Sequence, residues 1–264
     1  MRPNHATASL NGHHENELLA LIGPQERAGI EECAERIRLE ADAVLHREDA
    51  QTDCLVFPIT GVVANILILP DRTEVTTALT GDEGCVGWRP DSSSIRPSLR
   101  SVVYVPGDAL RVPLEAWRVL TAGGGLSRSL FNSYNEACVS ELYQVAACNL
   151  VHDAESRLCR WLLQLHDRVP RNVIPLTHAS LARLTGIRRS TVTLTIGALQ
   201  TAEILASHRG AIEVIDRFAL EAAACECHEV TRRQWDDFTA RFSEKAAAPD
   251  ELPLSGVGGA YRLD

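Results

Sequence analysis

Hydrophobic positions change their spacing along the chain, and the changes predict three regions. Between about residues 18 and 40 apolar residues recur every three or four positions, from Leu18 to Ile37, which predicts helix. From about 41 to 117 the pattern changes to short β-rich runs, and from about 114 to 168 the helical spacing returns. The chain is therefore predicted to have an α+β fold.

The β-rich region consists of short apolar runs that are separated by turn-forming residues. The runs are Cys54–Phe57, Gly61–Leu69, Glu74–Leu79, Ser101–Val105 and Ala109–Pro113. Pro70-Asp71 and Pro106-Gly107-Asp108 are typical turn sequences. Many short strands at close spacing indicate a β-sandwich or jelly roll. The polar, proline-containing stretch from Arg89 to Ser98 is predicted to be a loop.

A long amphipathic helix is predicted after the β-rich region. Its apolar stripe consists of Leu126, Leu130, Phe131, Tyr134, Cys138, Leu142, Val145 and Cys148 with Asn149. The stripe extends over about six turns, so it must be covered either by the same chain or by a second copy. We expect a parallel helix pair in a homodimer over residues 126–150. Packing within one chain is the alternative.

A helix-turn-helix is predicted at about residues 177–200. Thr177 is a good N-cap for a first helix, because its hydroxyl can accept a backbone N–H. Gly186 follows that helix, where a tight turn favours a residue that accepts a positive φ. A second helix begins around Ser190, and its inward side consists of Val192, Ile196 and Leu199.

The other side of this second helix is polar and basic. Arg188, Arg189, Ser190 and Thr193 lie near its N-terminus, which is the part of a recognition helix that enters the major groove. Arginine there can bind guanine O6 and N7 with two hydrogen bonds. A β-hairpin with its tip at residues 208–210 follows, so Arg209 can reach a neighbouring phosphate.

The net charge of −9 is unusual for a DNA-binding protein, but the charge is unevenly distributed along the chain. Residues 171–217 contain six arginines and three acidic residues, which gives this segment +3 and the rest of the chain −12. A locally basic face on an acidic protein can still bind phosphate. DNA binding is therefore compatible with the composition.

Composition also bears on location and chemistry. No stretch approaches the roughly 18 apolar residues of a membrane helix. Residues 1–16 lack the apolar core of a signal peptide and are predicted, like the last twenty or so residues, to be disordered. We therefore expect a cytoplasmic protein with no membrane association and reduced cysteines. No nucleophile elbow, phosphate loop or zinc-protease motif supports an enzyme.

The pair Cys225 and Cys227 is the one candidate metal site that the sequence suggests. With His228 it offers at most three ligands, and side chains two positions apart on a helix diverge by about 200°. Buried structural thiols are therefore favoured over a metal site. Only Cys33 and Cys54 lie near the N-terminus, so an iron–sulfur cluster there is not expected. No cofactor is expected.

Several of these segments together resemble the Crp/Fnr regulators. The stretches that carry the resemblance are LTHASLARLTGIRRSTVT at 176–193, Gly197–Gln200, Arg209-Gly210, Leu220–Cys227 and Cys159–Asp167. The resemblance extends over about residues 18–230. It implies a homodimer that binds double-stranded DNA at a palindromic promoter site, where RNA polymerase is a possible further partner. The implied divisions are a tail at 1–16, a cyclic-nucleotide-binding-like β-roll at 17–117, a dimerisation helix at 118–152, a winged helix-turn-helix at 153–230, and a helix end and tail at 231–264.

The resemblance also assigns roles to individual residues. It implies that Arg189 reads guanine and that Thr177 and His178 contact phosphate. Ser190 and Leu194 stand where better-known members have a base-reading glutamate and a second arginine, so their target sequences are not expected here. The predicted DNA-binding residues are Thr177, His178, Arg188, Arg189, Ser190, Thr191, Thr193 and Arg209.

The β-roll resembles a nucleotide-binding domain less well. Cys85 stands at the position of the family's phosphate-cradling glutamate, and Pro97 breaks the arginine–hydroxyl pair by removing a backbone donor. Cyclic-nucleotide binding is therefore not expected, and the small-molecule effector is unknown. Arg96 and Arg100 are candidate ligands for another anion, with a solvated loop as the alternative. A ligand-sensing or adaptor protein that has the same fold but lacks specific DNA binding is the alternative function.

Overall fold

The computed structural model of the protein describes residues 15–48, 50–88, 98–122 and 125–247. The helices are α1 (Glu17–Ala20), α2 (Pro24–Cys33), α3 (Leu114–Thr121), α4 (Gly125–Val151), α5 (Ala154–His166), α6 (His178–Thr185), α7 (Arg189–Thr201), α8 (Arg217–Ala223) and α9 (Cys227–Ala247). The strands are β1 (Glu35–Leu39), β2 (Val44–His46), β3 (Cys54–Pro58), β4 (Val62–Ile68), β5 (Glu74–Thr80), β6 (Leu99–Val105), β7 (Gly107–Pro113), β8 (Val173–Ile174), β9 (Leu205–His208) and β10 (Ala211–Val214). The α+β prediction is confirmed.

Two antiparallel sheets form the N-terminal domain. One has the order β1-β7-β3 and the other the order β2-β6-β4-β5. Buried side chains such as Val56, Val63 and Val103 form a core between them. The five predicted strands are present, within a residue or two at most ends.

The prediction of helix up to about residue 40 is wrong at its end. Residues 35–39 form β1, in which Ile37 pairs with Ala109 of β7. The sequence Arg36-Ile37-Arg38-Leu39 has the period of two that a strand requires, but the spacing of Ile30 and Ile37 hides it. Pairing with a strand about 70 positions away decides the conformation.

The predicted N-terminal tail ends earlier than expected. Asn16 is fully buried, and its side-chain amide donates hydrogen bonds to the carbonyl oxygens of Pro58 and Gly84, each at 2.9 Å. Its Oδ1 accepts the backbone N–H of Leu19 and so caps α1. Residues 1–14 lie outside the described residues, as do 89–97 of the predicted loop and 248–264 at the C-terminus.

The first half of α4 is covered by its own chain. Phe131 packs edge-on against Trp117 with a ring separation of 4.5 Å, and Tyr134 lies 5.8 Å from Trp235 of α9. Helix α9 packs along α4, and the sequence reading did not predict its length or this contact. Packing within one chain therefore accounts for this part of the predicted stripe, and its members Val145 and Cys148 in the second half are buried within the chain too.

The C-terminal domain and the β domain share one hydrophobic core. Buried residues of the four-stranded sheet, such as Ile66 and Tyr104, belong to the same cluster as Leu181 of α6. At the edge of this contact Arg183 donates a hydrogen bond to the Tyr104 hydroxyl and forms an ion pair with Asp42 at 2.6 Å. Among the helices that the structure describes, none is long and apolar enough to cross a membrane.

Candidate nucleic-acid interface

Helices α6 and α7 form the predicted helix-turn-helix, and local sequence explains its geometry. Thr177 is the N-cap of α6, and its Oγ1 accepts the backbone N–H of Ser180 at 3.1 Å. Gly186 ends α6 with a φ of +67°, a conformation that strains residues with a Cβ. Arg188 is the N-cap residue of α7. The predicted cap and turn glycine are both confirmed.

Helix α7 has one buried and one exposed face. Val192, Ile196 and Leu199 are buried, as their spacing predicts. The predicted DNA-binding residues Arg188, Arg189, Ser190 and Thr193 are exposed, whereas Thr191 is half-buried. Leu194 is 75% exposed on the same outer face, so an apolar side chain projects where the resemblance implies a base-reading arginine.

The hairpin after α7 is present as predicted. Strands β9 and β10 pair with His208 opposite Ala211, which leaves Arg209 and Gly210 as a two-residue tip. Gly210 has a φ of +80°, and Arg209 is exposed. Strand β8 also pairs with β10, through Ile174 and Ile212, and this strand was not predicted. It fixes the base of the wing to the start of the domain.

The arginines of this region differ in their partners. Arg183 is paired with Asp42, and Arg217 is paired with Asp167 and Glu221. Within the described part of the chain, none of the predicted DNA-binding arginines, Arg188, Arg189 and Arg209, has an ion-pair partner. Among the described residues of this region, positive charge without an ion-pair partner therefore lies at the N-terminus of α7, at the wing tip and at Arg171. The dipole of α7 adds partial positive charge at the same end.

His178 connects the three parts of the motif. Its Nδ1 lies 3.3 Å from Thr193 Oγ1 on α7, and its Nε2 lies 3.3 Å from Ser207 Oγ on β9. Both ring nitrogens are thus engaged inside the protein. These two contacts give His178 a positioning role, and the predicted phosphate contact of this side chain stays a prediction.

The predicted anion site in the β domain is not supported. Arg100 donates to both carboxylate oxygens of Glu48, at 2.8 and 2.6 Å, and to Glu74 at 2.9 Å. The hydrogen bonds from Arg100 lower the pKa of Glu48 to about 2, so this carboxylate stays charged. The donors that an anion would use are occupied. Arg96 lies outside the described residues.

The space around Cys85 is occupied by side chains of the protein. Cys85 is buried, its backbone N–H donates to the Tyr134 hydroxyl at 3.0 Å, and that hydroxyl donates to the Cys85 carbonyl oxygen. Trp88 packs against Phe131 with a ring separation of 5.5 Å. Aromatic side chains from α4 thus surround Cys85, the residue that the resemblance aligns with the phosphate-cradling glutamate.

A buried ion pair just after the end of α5 was not predicted from the sequence. Arg168 Nε donates to Glu83 Oε1 at 2.9 Å, and both side chains are less than a tenth exposed. Beside it, Asp167 is paired with Arg217 at 2.6 Å and His228 at 2.8 Å. Burial raises the pKa of Asp167, but the His228 hydrogen bond and the Arg217 charge outweigh it and hold this pKa below its ordinary value.

Comparison with known proteins identifies the same domain. The model of the Crp-like helix-turn-helix domain family matches residues 156–223. A search of curated proteins found no significant match.

Solved structures of regulators share the fold over most of the chain. FixK2 from Bradyrhizobium japonicum has a TM-score of 0.62 at 17% identity, over 73% of this chain and 98% of its own. The c-di-GMP responsive global regulator CLP from Xanthomonas campestris has a TM-score of 0.57 at 17% identity, over 72% and 98%. The Crp/Fnr-family transcriptional regulator TTHA1359 from Thermus thermophilus has a TM-score of 0.51 at 18% identity, over 72% and 98%. Residues 156–223 are therefore a Crp-like helix-turn-helix domain, and the chain has the fold of the Crp/Fnr transcription regulators.

Proposed function

We propose that the protein is a sequence-specific DNA-binding transcription regulator that binds a palindromic promoter site as a homodimer. The observation that carries this proposal is the set of exposed, unpaired arginines at the N-terminus of α7 and at the wing tip. An adaptor with the same fold would gain nothing from leaving Arg188, Arg189 and Arg209 without acidic partners. Unpaired arginine on a recognition helix is the group that binds guanine edges and phosphate.

Each predicted contact has a specific role in this proposal. Arg189 reads a guanine in the major groove, and Arg188 with the hydroxyls of Ser190, Thr191 and Thr193 contacts neighbouring bases or phosphates. Thr177 and His178 contact phosphate, while Thr177 also caps α6 and His178 also holds α6, α7 and β9 in register. Arg209 contacts a phosphate beside the groove.

The second half of α4 supports the homodimer. The aromatic residue Tyr143, in the middle turns of α4, is 72% exposed. The apolar residue Leu150, in the last turn, is 86% exposed. Val139, Tyr143, Ala146 and Leu150 are spaced by four, three and four positions, which is the spacing of a coiled-coil seam, although they are not the residues of the predicted stripe. Two copies that meet on this seam would present two recognition helices about one DNA turn, roughly 34 Å, apart.

Site selection from a random DNA library, followed by gel shifts of the selected site, tests the proposal. We expect a palindromic site that binds two chains, as counted by light scattering of the complex. Arg189→Ala should weaken binding to that site by about 1–3 kcal/mol and relax the preference at one base position of each half-site. Arg47→Ala, at an exposed position of the β domain, is the matched control. It should bind like the wild type.

Two results would overturn the proposal. One is a selection that enriches no sequence at any salt concentration, which would favour the adaptor function. The other is an Arg189→Ala protein that keeps both the wild-type affinity and the wild-type base preference.

A further inference from the structure

Four potential metal ligands meet where the long helix ends. Cys148 lies in the last turn of α4, and His152 follows that helix directly. Cys225 lies in the link between α8 and α9, and Cys227 is the first residue of α9. The three sulfur atoms and one His152 ring nitrogen all lie within 4.8 Å of one another.

Cys225 and Cys227 do not lie on one helix, so the expectation that their side chains diverge does not apply. Helix α8 ends at Ala223, and Ala224 is extended with a ψ of 158°. Since the chain is not helical between Ala223 and Cys227, both thiols can face the end of α4.

The distances within the cluster match a tetrahedral ion. The sulfur atoms of Cys148 and Cys225 are 3.6 Å apart, and Cys227 Sγ lies 3.5 Å from His152 Nδ1. Zinc bonds of about 2.3 Å to sulfur and about 2.0 Å to nitrogen give tetrahedral edges of about 3.8 Å between sulfurs and about 3.5 Å between sulfur and nitrogen. One ion at the centre would require only small side-chain shifts.

The neighbours of the ligands also resemble those of a metal site. His152 Nε2, the ring nitrogen that faces away from the thiols, lies 3.2 Å from Glu226 Oε1. A carboxylate on the far nitrogen fixes the orientation of a ligating histidine. Gln144 Nε2 donates a hydrogen bond to Cys227 Sγ at 3.0 Å, which fixes the orientation of that sulfur.

The three thiols are packed differently from ordinary core cysteines. Cys148, Cys225 and Cys227 form a buried cluster of their own, whereas Cys85 and Cys159 lie among large apolar side chains. Arg160 is 1% exposed, and its Nε and Nη2 have no hydrogen-bond partner among the described residues. Arg160 lies close enough to Cys148 for its charge to act on that thiol.

We propose that Cys148, His152, Cys225 and Cys227 bind a single zinc ion in a tetrahedral site with three sulfur ligands and one nitrogen ligand. Binding releases the three thiol protons to solvent, and the resulting site carries a net charge of −1 beside the Arg160 guanidinium. The ligand atoms surround too small a space for a cluster of several irons. The ion ties the end of α4 to the start of α9 at the junction that leads into the C-terminal domain.

The metal content of the full chain, purified and kept reduced, tests the proposal directly. We expect about one zinc ion per protomer to remain after gel filtration. Cobalt(II) exchanged into the site should give the intense visible bands of a tetrahedral ion and a near-ultraviolet thiolate-to-cobalt charge-transfer band. Cys225→Ser and His152→Ala should lose the ion, while Cys33→Ser, at the half-buried end of α2, should retain it.

A graded variant adds a second measurement. Glu226→Gln leaves all four ligands in place but weakens the support of His152, so zinc affinity should fall by about tenfold in competition with a chromogenic chelator. Circular dichroism and gel filtration establish whether each variant folds. If Cys225→Ser does not fold, the cobalt spectrum of the wild type and the Glu226→Gln titration decide the matter.

Three results would overturn the proposal. They are a reduced wild-type chain that retains no stoichiometric zinc, a cobalt complex without the thiolate charge-transfer band, and equal loss of zinc from Cys33→Ser. Recovery of a Cys148–Cys225 disulfide from protein purified with reductant and zinc present would assign the cluster to redox chemistry instead. None of these measurements depends on DNA, so they are independent of the proposed function.

Discussion

Arg100 of the β domain and the predicted DNA-binding arginines of the C-terminal domain have opposite environments. Arg100 is held by Glu48 and Glu74, whereas Arg188, Arg189 and Arg209 have no acidic partner in the described chain. A paired arginine contributes to the fold and adds little potential outside the protein, while an unpaired one can bind an external anion. In a chain of net charge −9, the placement of acidic residues, more than the count of arginines, therefore decides where positive charge is left for an external anion.

The largest expected effect tests the structural role of a paired arginine. Arg168→Ala leaves Glu83 buried without its cation, and removing one partner of a buried ion pair costs about 3–5 kcal/mol. Urea unfolding followed by circular dichroism should record this loss, with Arg47→Ala as the unchanged control. A loss below about 1 kcal/mol would mean that water or a shift of the junction solvates Glu83.

Local sequence predicted the C-terminal domain well. The Thr177 cap, the Gly186 turn and the inward face of α7 depend on residues within a few positions of each other, so pattern reasoning finds them. The pairings of Arg168 with Glu83 and of Cys148 with Cys225 join residues 85 and 77 positions apart. No local pattern encodes such a contact.

The strands, too, were predicted where their own sequence carries the signal and missed where a distant partner decides. Longer strands such as β4 have a strong apolar signal of their own. By contrast, β1, β2 and β8 were missed, because each is short or masked by a helical spacing and becomes a strand through its partner. Helix α9 was underestimated because its polar surface conceals the three aromatic residues, Trp235, Phe238 and Phe242, that pack in the core.

Asp82 has no ion-pair partner among the described residues, and its pKa shifts in the opposite direction to that of Glu48. Burial of Asp82, with the nearby charges of Glu83 and Glu17, raises its pKa from 3.8 to about 7. The folded state therefore holds the proton more tightly than the unfolded state. The bound proton thus stabilises the folded state. This contribution is complete below the pKa of the unfolded state and is lost as pH rises through the pKa of the folded state, between about pH 4 and pH 7.

Asp82→Asn should remove this pH dependence. We expect the variant to be more stable than the wild type by about 4 kcal/mol at pH 8, with the gain shrinking towards pH 5 and vanishing near pH 4. Urea unfolding across this pH range measures it, and Asp237→Asn, at an exposed position of α9, is the control. A gain that is constant with pH would show that the amide acts through packing or hydrogen bonding instead of charge.

The smallest expected effect concerns the unpaired arginine of the wing tip. Arg209 lies at the tip of the hairpin and not on α7, so we expect it to contact phosphate and to carry no base preference. Arg209→Ala should weaken binding to all sequences alike and reduce the slope of log K against log salt by about 1. Fluorescence anisotropy with a selected site and a scrambled site, over a series of salt concentrations, measures both quantities. A slope that stays at the wild-type value while one base position loses its preference would instead place the wing tip in a groove, and Arg209 would then be a second reader beside Arg189.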